Sequence, residues 1–232
     1  MSARLTTDFA GITFKNPVVT ASGTFGFGRE FEQVYDLERL GGLCTKGLTI
    51  APKPGNTGTR IWETPAGIIN SIGLENPGVD AFIANEWPHL SALDTVTVVN
   101  VGGSDEASYL AAIEKLNDLP VALIELNISC PNVKCGGMAF GMDPDQAGRI
   151  TEKAAAASTH PIMVKLTPNA PEIVAVARAC EAAGAAGLSL INTIQAMAVD
   201  VDAKKIVFDN IYAGLSGPAA DQIGRASCRE RV

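Results

Sequence analysis

The sequence of 232 residues has few of the features that tie a chain to a membrane, to nucleic acid or to a metal. No apolar run reaches the roughly 18 residues that a membrane span needs, so no membrane anchor is expected. Acidic residues outnumber basic ones, 25 to 18, which disfavours nucleic acid as the main partner. The two histidines, His89 and His160, follow no predicted strand, so a metal hydrolase is disfavoured and no metal site is predicted.

The cysteines are also few and unevenly placed. There are five, an odd number, at irregular spacings: Cys44, Cys130, Cys135, Cys180 and Cys228. A disulfide framework is therefore not expected, and a reducing compartment is the simplest interpretation. The amino-terminal stretch MSARLTTDFAGITF lacks the charged-then-apolar pattern of a signal peptide. Together these features predict a cytoplasmic protein.

Apolar, β-branched runs alternate with helix-like segments along the chain. The predicted strands are residues 16–23, 41–49, 95–103, 121–129, 161–168 and 185–193. The helical patterns between them open with Ser or Asp caps, and one closes at Gly184. Strands that are apolar throughout and alternate with helices predict a parallel sheet covered on both faces. Two α/β architectures fit, a (β/α)8 TIM barrel and an open doubly wound sheet.

The ends of the predicted strands favour the barrel, because polar residues cluster at almost every one. These residues are Ser22, Thr24, Thr45, Lys46, Asn100, Asn127, Cys130, Asn132, Lys165, Thr167, Asn192 and Thr193. A barrel builds its site from many strand ends, whereas an open sheet concentrates it at one switch point. About six strand–helix units are visible, so residues 1–223 are predicted to form an incomplete barrel. Residues 224–232 have no strand or helix periodicity and are interpreted as an unrelated tail.

The predicted rim has the chemistry of a site for a planar, anionic molecule. Asn amides present a donor and an acceptor and suit an imide or amide ring, and the loop NSIGLENPG adds Asn70, Ser71 and Asn76. Lys46 and Lys165 supply positive charge for an anionic substrate or a reduced flavin. Carboxylates are scarce at the strand ends, which disfavours a glycosidase. Cys130 is compatible with a packing role or with a catalytic thiol.

Seven motifs make the sequence similar to the dihydroorotate dehydrogenases. They are SGTFGFG, TKGLT, NSIGLENPG, ELNISCPNVKCGGMAFG, VKLTPN, INT and GLSGPA, in the order found in that family, and they extend over roughly residues 5 to 220. Membrane-bound members have serine at the position of Cys130, so the chain resembles the soluble branch. The NVKCGGMAFG continuation resembles the catalytic subunit of the NAD-linked type.

The resemblance implies oxidation of (S)-dihydroorotate to orotate in UMP biosynthesis. By this analogy Cys130 is the base that removes the C5 proton while a hydride leaves C6 for FMN. The implied FMN contacts are Ser22, Thr45, Lys46, Asn100, Asn127, Lys165, Ile191 and Gly217. The implied substrate contacts are Lys46, Asn70, Ser71, Ile72, Gly73, Leu74, Asn127, Asn192 and Thr193. A partner subunit with FAD and an iron–sulfur cluster would pass the electrons to NAD, on a homodimer core within a heterotetramer.

The sequence departs from the family after GLSGPA, where relatives continue with two further strand–helix units that hold the FMN phosphate. The expectation is a C-terminally truncated chain whose own activity is open. Two rivals remain at this point. One is a different flavin barrel acting on pyrimidines, such as the flavin domain of dihydropyrimidine dehydrogenase, and the other is a non-catalytic chain that binds only a partner subunit.

Overall fold

The structure is a computed structural model that describes residues 5–128 and 137–220. Its strands are β1 (Thr7–Phe9), β2 (Ile12–Phe14), β3 (Gly42–Cys44), β4 (Ile61–Thr64), β5 (Gly67–Asn70), β6 (Val96–Val101), β7 (Leu123–Asn127), β8 (Ile162–Lys165), β9 (Gly187–Ser189), β10 (Ile194–Met197), β11 (Val199–Asp200), β12 (Lys205–Ile206) and β13 (Tyr212–Ser216). Its α-helices are α1 (Val79–Ala81), α2 (Trp87–Leu90), α3 (Glu106–Leu116), α4 (Gly137–Met142), α5 (Pro144–Ala157) and α6 (Ile173–Ala182). A 3-10 turn spans Leu37–Arg39, and a π-helical segment, Phe82–Glu86, joins α1 to α2.

The main sheet has five parallel strands paired in chain order, β3-β6-β7-β8-β9. Each strand pairs with the next one along the chain, so the order does not reverse as it would in a doubly wound sheet. Helices connect the strands and pack on one side of the curled sheet. The prediction of an incomplete (β/α)8 barrel is therefore confirmed.

The first predicted strand, residues 16–23, is reduced to a single parallel bridge between Val19 and Gly42. The Asn16 side chain accounts for part of this difference, because its Oδ1 accepts a hydrogen bond from the Val18 N–H at 3.0 Å. A side chain thus occupies a donor that a longer ladder would use. The other five predicted strands are present, each shorter than the apolar run that predicted it.

The predicted helices on the outer side of the sheet are present as α3, α5 and α6. Helix α3 begins after Asp105, whose carboxylate accepts from the Ser108 N–H while the Ser108 hydroxyl accepts from the Asp105 N–H. The hydrogen bond from the Ser108 N–H to the carboxylate is the main reason that the pKa of the Asp105 carboxyl is lowered. The Asp143 carboxylate caps α5 in the same sense by accepting from the Gln146 N–H at 2.9 Å. Within the described residues, no helix is both long and apolar enough to cross a membrane.

The outer face of the sheet forms the principal core with these helices. Val99, Ile124, Leu126 and Val164 point to this side and are fully buried. Burial of a side chain of this size contributes roughly 1.5 to 3 kcal/mol. A smaller cluster lies on the inner face, where Phe9 of β1 packs against strand residues near the amino-terminal end of the sheet. The β1–β2 hairpin therefore closes that end.

A second, antiparallel sheet, β10-β13-β5-β4, was not predicted. It pairs β5 with β13, which lies more than 140 residues later in the chain, so nothing local in the sequence indicates the pairing. Contact between the two strands is close, since a Cβ at Gly67 would lie 2.0 Å from the carbonyl oxygen of Ser216. This sheet places the loop that follows β5 above the parallel sheet's carboxyl end.

Candidate active site

A cavity of about 370 Å³, here called the inner cavity, lies inside the curl of the parallel sheet. Phe9 and Phe14 of the amino-terminal hairpin line one end of the cavity. The Phe9 ring packs against Gly187 at the start of β9, and the Phe14 ring packs against Gly42 at the start of β3. Ser22, Lys165 and Ile191 line it as well, on segments at the carboxyl ends of the strands. Three of the predicted site residues therefore share one wall.

Strand register brings further predicted residues to the same rim. Asn127 lies beside Lys165 in the β7–β8 pair, and Lys165 lies beside Ser189 in the β8–β9 pair. Asn100 lies beside Glu125 in the β6–β7 pair. Alternate residues of a strand share a face, so Glu125 and Asn127 point to the same side. The inner face is thus apolar near the strand starts and polar near the strand ends.

Glu125 is the buried carboxylate of this wall, with 4% of its surface exposed. Its Oε1 accepts from the Ser189 hydroxyl at 2.6 Å. Its Oε2 accepts from the Asn100 amide Nδ2 and, at 3.4 Å, from the Cys44 thiol. Three strands other than its own therefore donate to this one carboxylate.

Asn100 and Thr45 are fully buried and held together. The Asn100 N–H donates to the Thr45 hydroxyl oxygen at 3.1 Å, and that hydroxyl donates to the Lys46 carbonyl at the same distance. The Asn100 Oδ1 has no hydrogen-bond partner within the described residues. A Cβ at Gly47 would lie 2.7 Å from this oxygen, so any side chain at this position would displace the Asn100 amide.

The two lysines predicted for the site are both half-buried. The Lys46 N–H donates to the Gly26 carbonyl at 2.8 Å, which ties the strand end to the loop after the first predicted strand. Lys165 lines the inner cavity, and its ammonium group makes no ion pair or hydrogen bond within the part of the chain described. A half-buried cation of this kind favours an anion in the cavity.

Asn127, Asn192 and Thr193 form a second polar group at the strand ends. The Asn192 Nδ2 donates to the Asn127 Oδ1 at 3.4 Å, and the Asn192 Oδ1 accepts from the Thr193 N–H at 2.8 Å. The Tyr109 hydroxyl donates to the Asn127 carbonyl at 2.8 Å and fixes the end of β7. The Asn169 side chain donates to the Thr193 carbonyl at 3.2 Å. These bonds hold three predicted substrate residues beside one another.

The predicted substrate loop, residues 70–74, is fastened to the antiparallel sheet. The Asn70 Nδ2 donates to the Gly214 carbonyl at 3.2 Å. Ser71 is buried, and its hydroxyl accepts from the amides of Asn56 and Asn210 at 3.0 and 3.3 Å. The carbonyl of Ile72 accepts from the Asn56 N–H at 3.0 Å.

The remainder of this loop turns back towards the parallel sheet. Gly73 and Leu74 both have positive φ, 77° and 55°. The buried Leu74 side chain lies 3.6 Å from the Cβ position of Gly47. The loop therefore lies close to the Lys46–Gly47 strand end, and its assignment as a substrate loop stays a prediction.

Two further predicted residues are not placed at the strand ends by the described structure. Gly217 follows β13 in the antiparallel sheet, is exposed and packs against Gly67 with a φ of 121°. Cys130 lies outside the described residues. The assignments of both as cofactor or catalytic residues stay predictions.

The described thiols are both poor proton acceptors. Burial raises the pKa of the Cys44 thiol well above its ordinary value, the Glu125 charge raises it further, and Lys165 opposes the shift. Burial also raises the pKa of Cys180. Each remains protonated near neutral pH and so does not serve as a base.

The sequence reasoning missed Cys44, Glu125 and Ser189 as parts of the cavity wall. Glu125 has the same parity as Asn127 along β7, so the two-residue period of a strand gives the signal that could have found it. The two-residue period places Ser189 and Cys44 on the cavity wall only once the register between neighbouring strands is known. Among the described residues there is no group of three or more His, Cys, Asp or Glu side chains able to hold a metal ion.

Comparison with known proteins agrees with this geometry. The family model described as "Dihydroorotate dehydrogenase" matches residues 4–230. The chain is 52% identical over 216 residues to the "Dihydroorotate dehydrogenase B (NAD(+)), catalytic subunit" of Petrotoga mobilis, covering 93% of this chain and 72% of the relative. The proteins of the same name from Pelobacter propionicus and Thermoanaerobacter pseudethanolicus are 49% and 48% identical, each over 94% of this chain and 72% of the relative. The chain therefore belongs to the dihydroorotate dehydrogenase family.

Proposed function

We propose that the chain is the catalytic subunit of an NAD-linked dihydroorotate dehydrogenase. It oxidises (S)-dihydroorotate to orotate in UMP biosynthesis, and the electrons pass through FMN and a partner subunit to NAD. The observation that carries the proposal is the inner cavity of a family member, where the Lys165 ammonium and an amide-rich rim meet on neighbouring strand ends. A planar, anionic imide such as orotate is complementary to this combination of cation and amides.

The residues present fit a flavin. The buried, unpartnered Asn100 Oδ1 is an acceptor for which the imide N–H of an isoalloxazine ring is a suitable donor. Lys165 supplies positive charge for the pyrimidine edge of the ring. When bound, FMN accepts the hydride that leaves C6 of dihydroorotate.

The chain's own residues would bind and orient the substrate and move one proton. We assign the substrate ring to the side chains of Asn70, Asn127 and Asn192 with Thr193, and its carboxylate to Lys46. The hydrogen bonds that hold these amides in place support the assignment, since pre-set donors and acceptors lose little freedom on binding. Ser22, Thr45, Ile191 and Gly217 are proposed as further FMN contacts.

Cys130 is proposed as the base that takes the C5 proton. The described thiols do not compete for this role, because the pKa of Cys44 and that of Cys180 are both raised. A thiol that acts as a base near neutral pH needs a lowered pKa or a relay. The motif match around residues 125–141 supports Cys130.

The electron acceptor and the assembly belong to the same proposal. The relatives named above carry NAD(+) and "catalytic subunit" in their names, which supports a separate electron-transfer subunit. We assign FAD and an iron–sulfur cluster to that subunit, and a homodimer core of a heterotetramer to the assembly. The cytoplasmic location and the division into residues 1–223 and 224–232 also stay predictions.

The test is the visible spectrum of the purified chain after incubation with FMN and removal of free flavin. We expect a retained flavin band that dihydroorotate bleaches without oxygen. Bleaching should be lost in Cys130→Ala and kept in Cys180→Ala, a matched thiol control in helix α6 on the outer side of the sheet. Retained flavin that dihydroorotate never bleaches would contradict the proposal. Faster bleaching by dihydrouracil would instead assign the chain to the other pyrimidine-oxidising flavin barrels.

A further inference from the structure

Glu125 is a buried carboxylate for which the proposed reaction has no use. It lies in the middle of β7 and lines the inner cavity below the polar rim. Carboxylates are seldom buried to this degree without a partner that fixes them. The hydrogen bonds that Glu125 makes therefore indicate its role.

The contacts of Glu125 are all with donors. Ser189, Asn100 and Cys44 each direct a hydrogen onto one of its two oxygens, from β9, β6 and β3. An ionised carboxylate can only accept, so it satisfies all three at once. The bond from Asn100 is charge-assisted, which makes it the stronger kind of hydrogen bond.

This contact determines which way the Asn100 amide faces. An asparagine amide can turn over and exchange its oxygen and nitrogen, and an acceptor-only neighbour selects the orientation that presents the nitrogen. With Nδ2 on Glu125, Oδ1 faces Gly47, where it is fully buried and has no partner among the described residues. Turning the amide over would place two acceptor oxygens against each other.

We propose that Glu125 is a positioning residue that orients the Asn100 amide so that its Oδ1 is presented to the flavin ring. The proposal rests on the proposed function, because it takes a flavin as the occupant of the cavity. Glu125 acts through the Asn100 amide, and the proposal gives it no bond of its own to flavin or substrate. Glu125 is also buried, so little water competes for its contact with Asn100.

A purely structural role is the rival explanation, since Glu125 ties four strands together. The two roles differ in what they change. A strand tie affects the free energy of unfolding but leaves flavin affinity of the folded protein intact. A positioning residue affects flavin affinity through Asn100 alone.

The first measurement uses the flavin-free protein. Side-chain amide hydrogen exchange at Asn100 is followed by NMR, with the resonance assigned by its loss in Asn100→Asp. We expect exchange at least a hundredfold slower than that of an exposed asparagine, still slow in Ser189→Ala, which removes a different bond to Glu125. Fast exchange in the wild-type chain would overturn the proposal without any flavin being present.

The second measurement is the dissociation constant for FMN, from flavin fluorescence, in Glu125→Met, Asn100→Ala and the double variant. Glu125→Met keeps the side-chain length and removes the acceptor, and apolar replacement of a buried charge is often tolerated by the fold. Loss of one oriented hydrogen bond weakens binding by about 10- to 100-fold. We expect that loss in each single variant and no further loss in the double variant, since both act through one amide.

Glu125→Gln is the conservative variant that should rescue binding. Its oxygen can accept from Asn100 while its nitrogen donates to the Ser189 hydroxyl, so the Asn100 orientation is kept and FMN affinity stays within about threefold of wild type. Effects of Glu125→Met and Asn100→Ala that multiply would overturn the proposal, as would unchanged affinity in Glu125→Met. If the wild-type chain retains no flavin, the proposed function fails for this chain; exchange at Asn100 in Glu125→Met is then compared with wild type, and equally slow exchange would overturn the role of Glu125.

Discussion

The outer and inner faces of the parallel sheet are built from the same strands and have opposite chemistry. On β7, Ile124 and Leu126 point outward into the helices, while Glu125 and Asn127 point inward. The outward residues of β7 are all aliphatic. The inner face changes along each strand, from Leu123 at the start to Asn127 at the end.

The difference shows how one strand serves two purposes. Residues two apart share a face, so the outward set can be selected for packing and the inward set for chemistry without interfering with each other. We therefore expect outward substitutions to change stability and inward substitutions to change binding. The predictions below test that separation.

The largest expected effect is on the outer face. Leu126→Ala removes a side chain that is fully buried in the principal core, so the free energy of unfolding should fall by about 2 to 5 kcal/mol. Urea denaturation followed by circular dichroism measures the change. Leu5→Ala, at a leucine that is 59% exposed, is the matched control and should change stability by less than about 0.5 kcal/mol. Equal effects of the two variants would contradict the assignment of the outer face as the core.

The next largest effect is on the inner face, where a substitution should slow the reaction without lowering stability. Lys165→Met removes the cavity's half-buried cation, so oxidation of dihydroorotate should slow about a hundredfold, the usual effect of removing one electrostatic contact to a reacting group. Stability should stay the same or rise, because the charge has no partner within the described residues. Single-turnover flavin reduction and urea denaturation give the two readings.

A surface lysine provides the control for this variant. Lys205→Met makes the same substitution on the exposed strand β12 and should change neither the rate of flavin reduction nor the stability. If Lys165→Met lowered stability by more than about 1 kcal/mol, the lysine would have a structural role and the separation of the two faces would fail at this position.

A smaller effect is expected at the rim. Gly47→Ala places a Cβ 2.7 Å from the Asn100 Oδ1, so the amide must shift and FMN affinity should fall about tenfold, the equivalent of one weakened hydrogen bond. Gly102→Ala is the control, because its Cβ meets nothing closer than 3.6 Å. Fluorescence titration with FMN compares the two. Similar affinities would show that the space over Asn100 is not where the flavin lies.

The barrel could be predicted because its signals are local. Each apolar run ends in polar residues within the same stretch of sequence, and cap residues such as Asp105 and Gly184 mark the helices between them. The antiparallel sheet could not be predicted, because β5 and β13 are short and meet from distant parts of the chain. Local propensity carries no information about such a pairing.

The site divides in the same way. Rim residues such as Asn127 and Lys165 stand out in the sequence as polar interruptions at strand ends. The role of Ser189 does not stand out, because it depends on three strands being placed so that its hydroxyl reaches Glu125. Sequence reasoning found residues marked by their own position and missed those defined by a distant neighbour.

The smallest expected effect is on how stability depends on pH, and it compares two thiols, one on each side of the sheet. The pKa values of Cys44, on the inner face, and Cys180, in helix α6 on the outer side, are both raised by burial, and the Glu125 charge raises that of Cys44 further. In the unfolded chain a thiol loses its proton near pH 8.5, while the folded thiol keeps it. The unfolded state therefore binds fewer protons above that pH, and stability falls as pH rises, by at most about 1.4 kcal/mol per pH unit for each thiol.

Urea denaturation between pH 7 and pH 10 measures this dependence. Cys180→Ala and Cys44→Ala should each flatten the decline. Cys44→Ala should do so up to a higher pH, because the carboxylate beside it keeps the folded thiol protonated for longer. The same flattening in both variants would mean that Glu125 does not act on Cys44, and the inner face would then differ from the outer in polarity but not in its effect on a buried thiol.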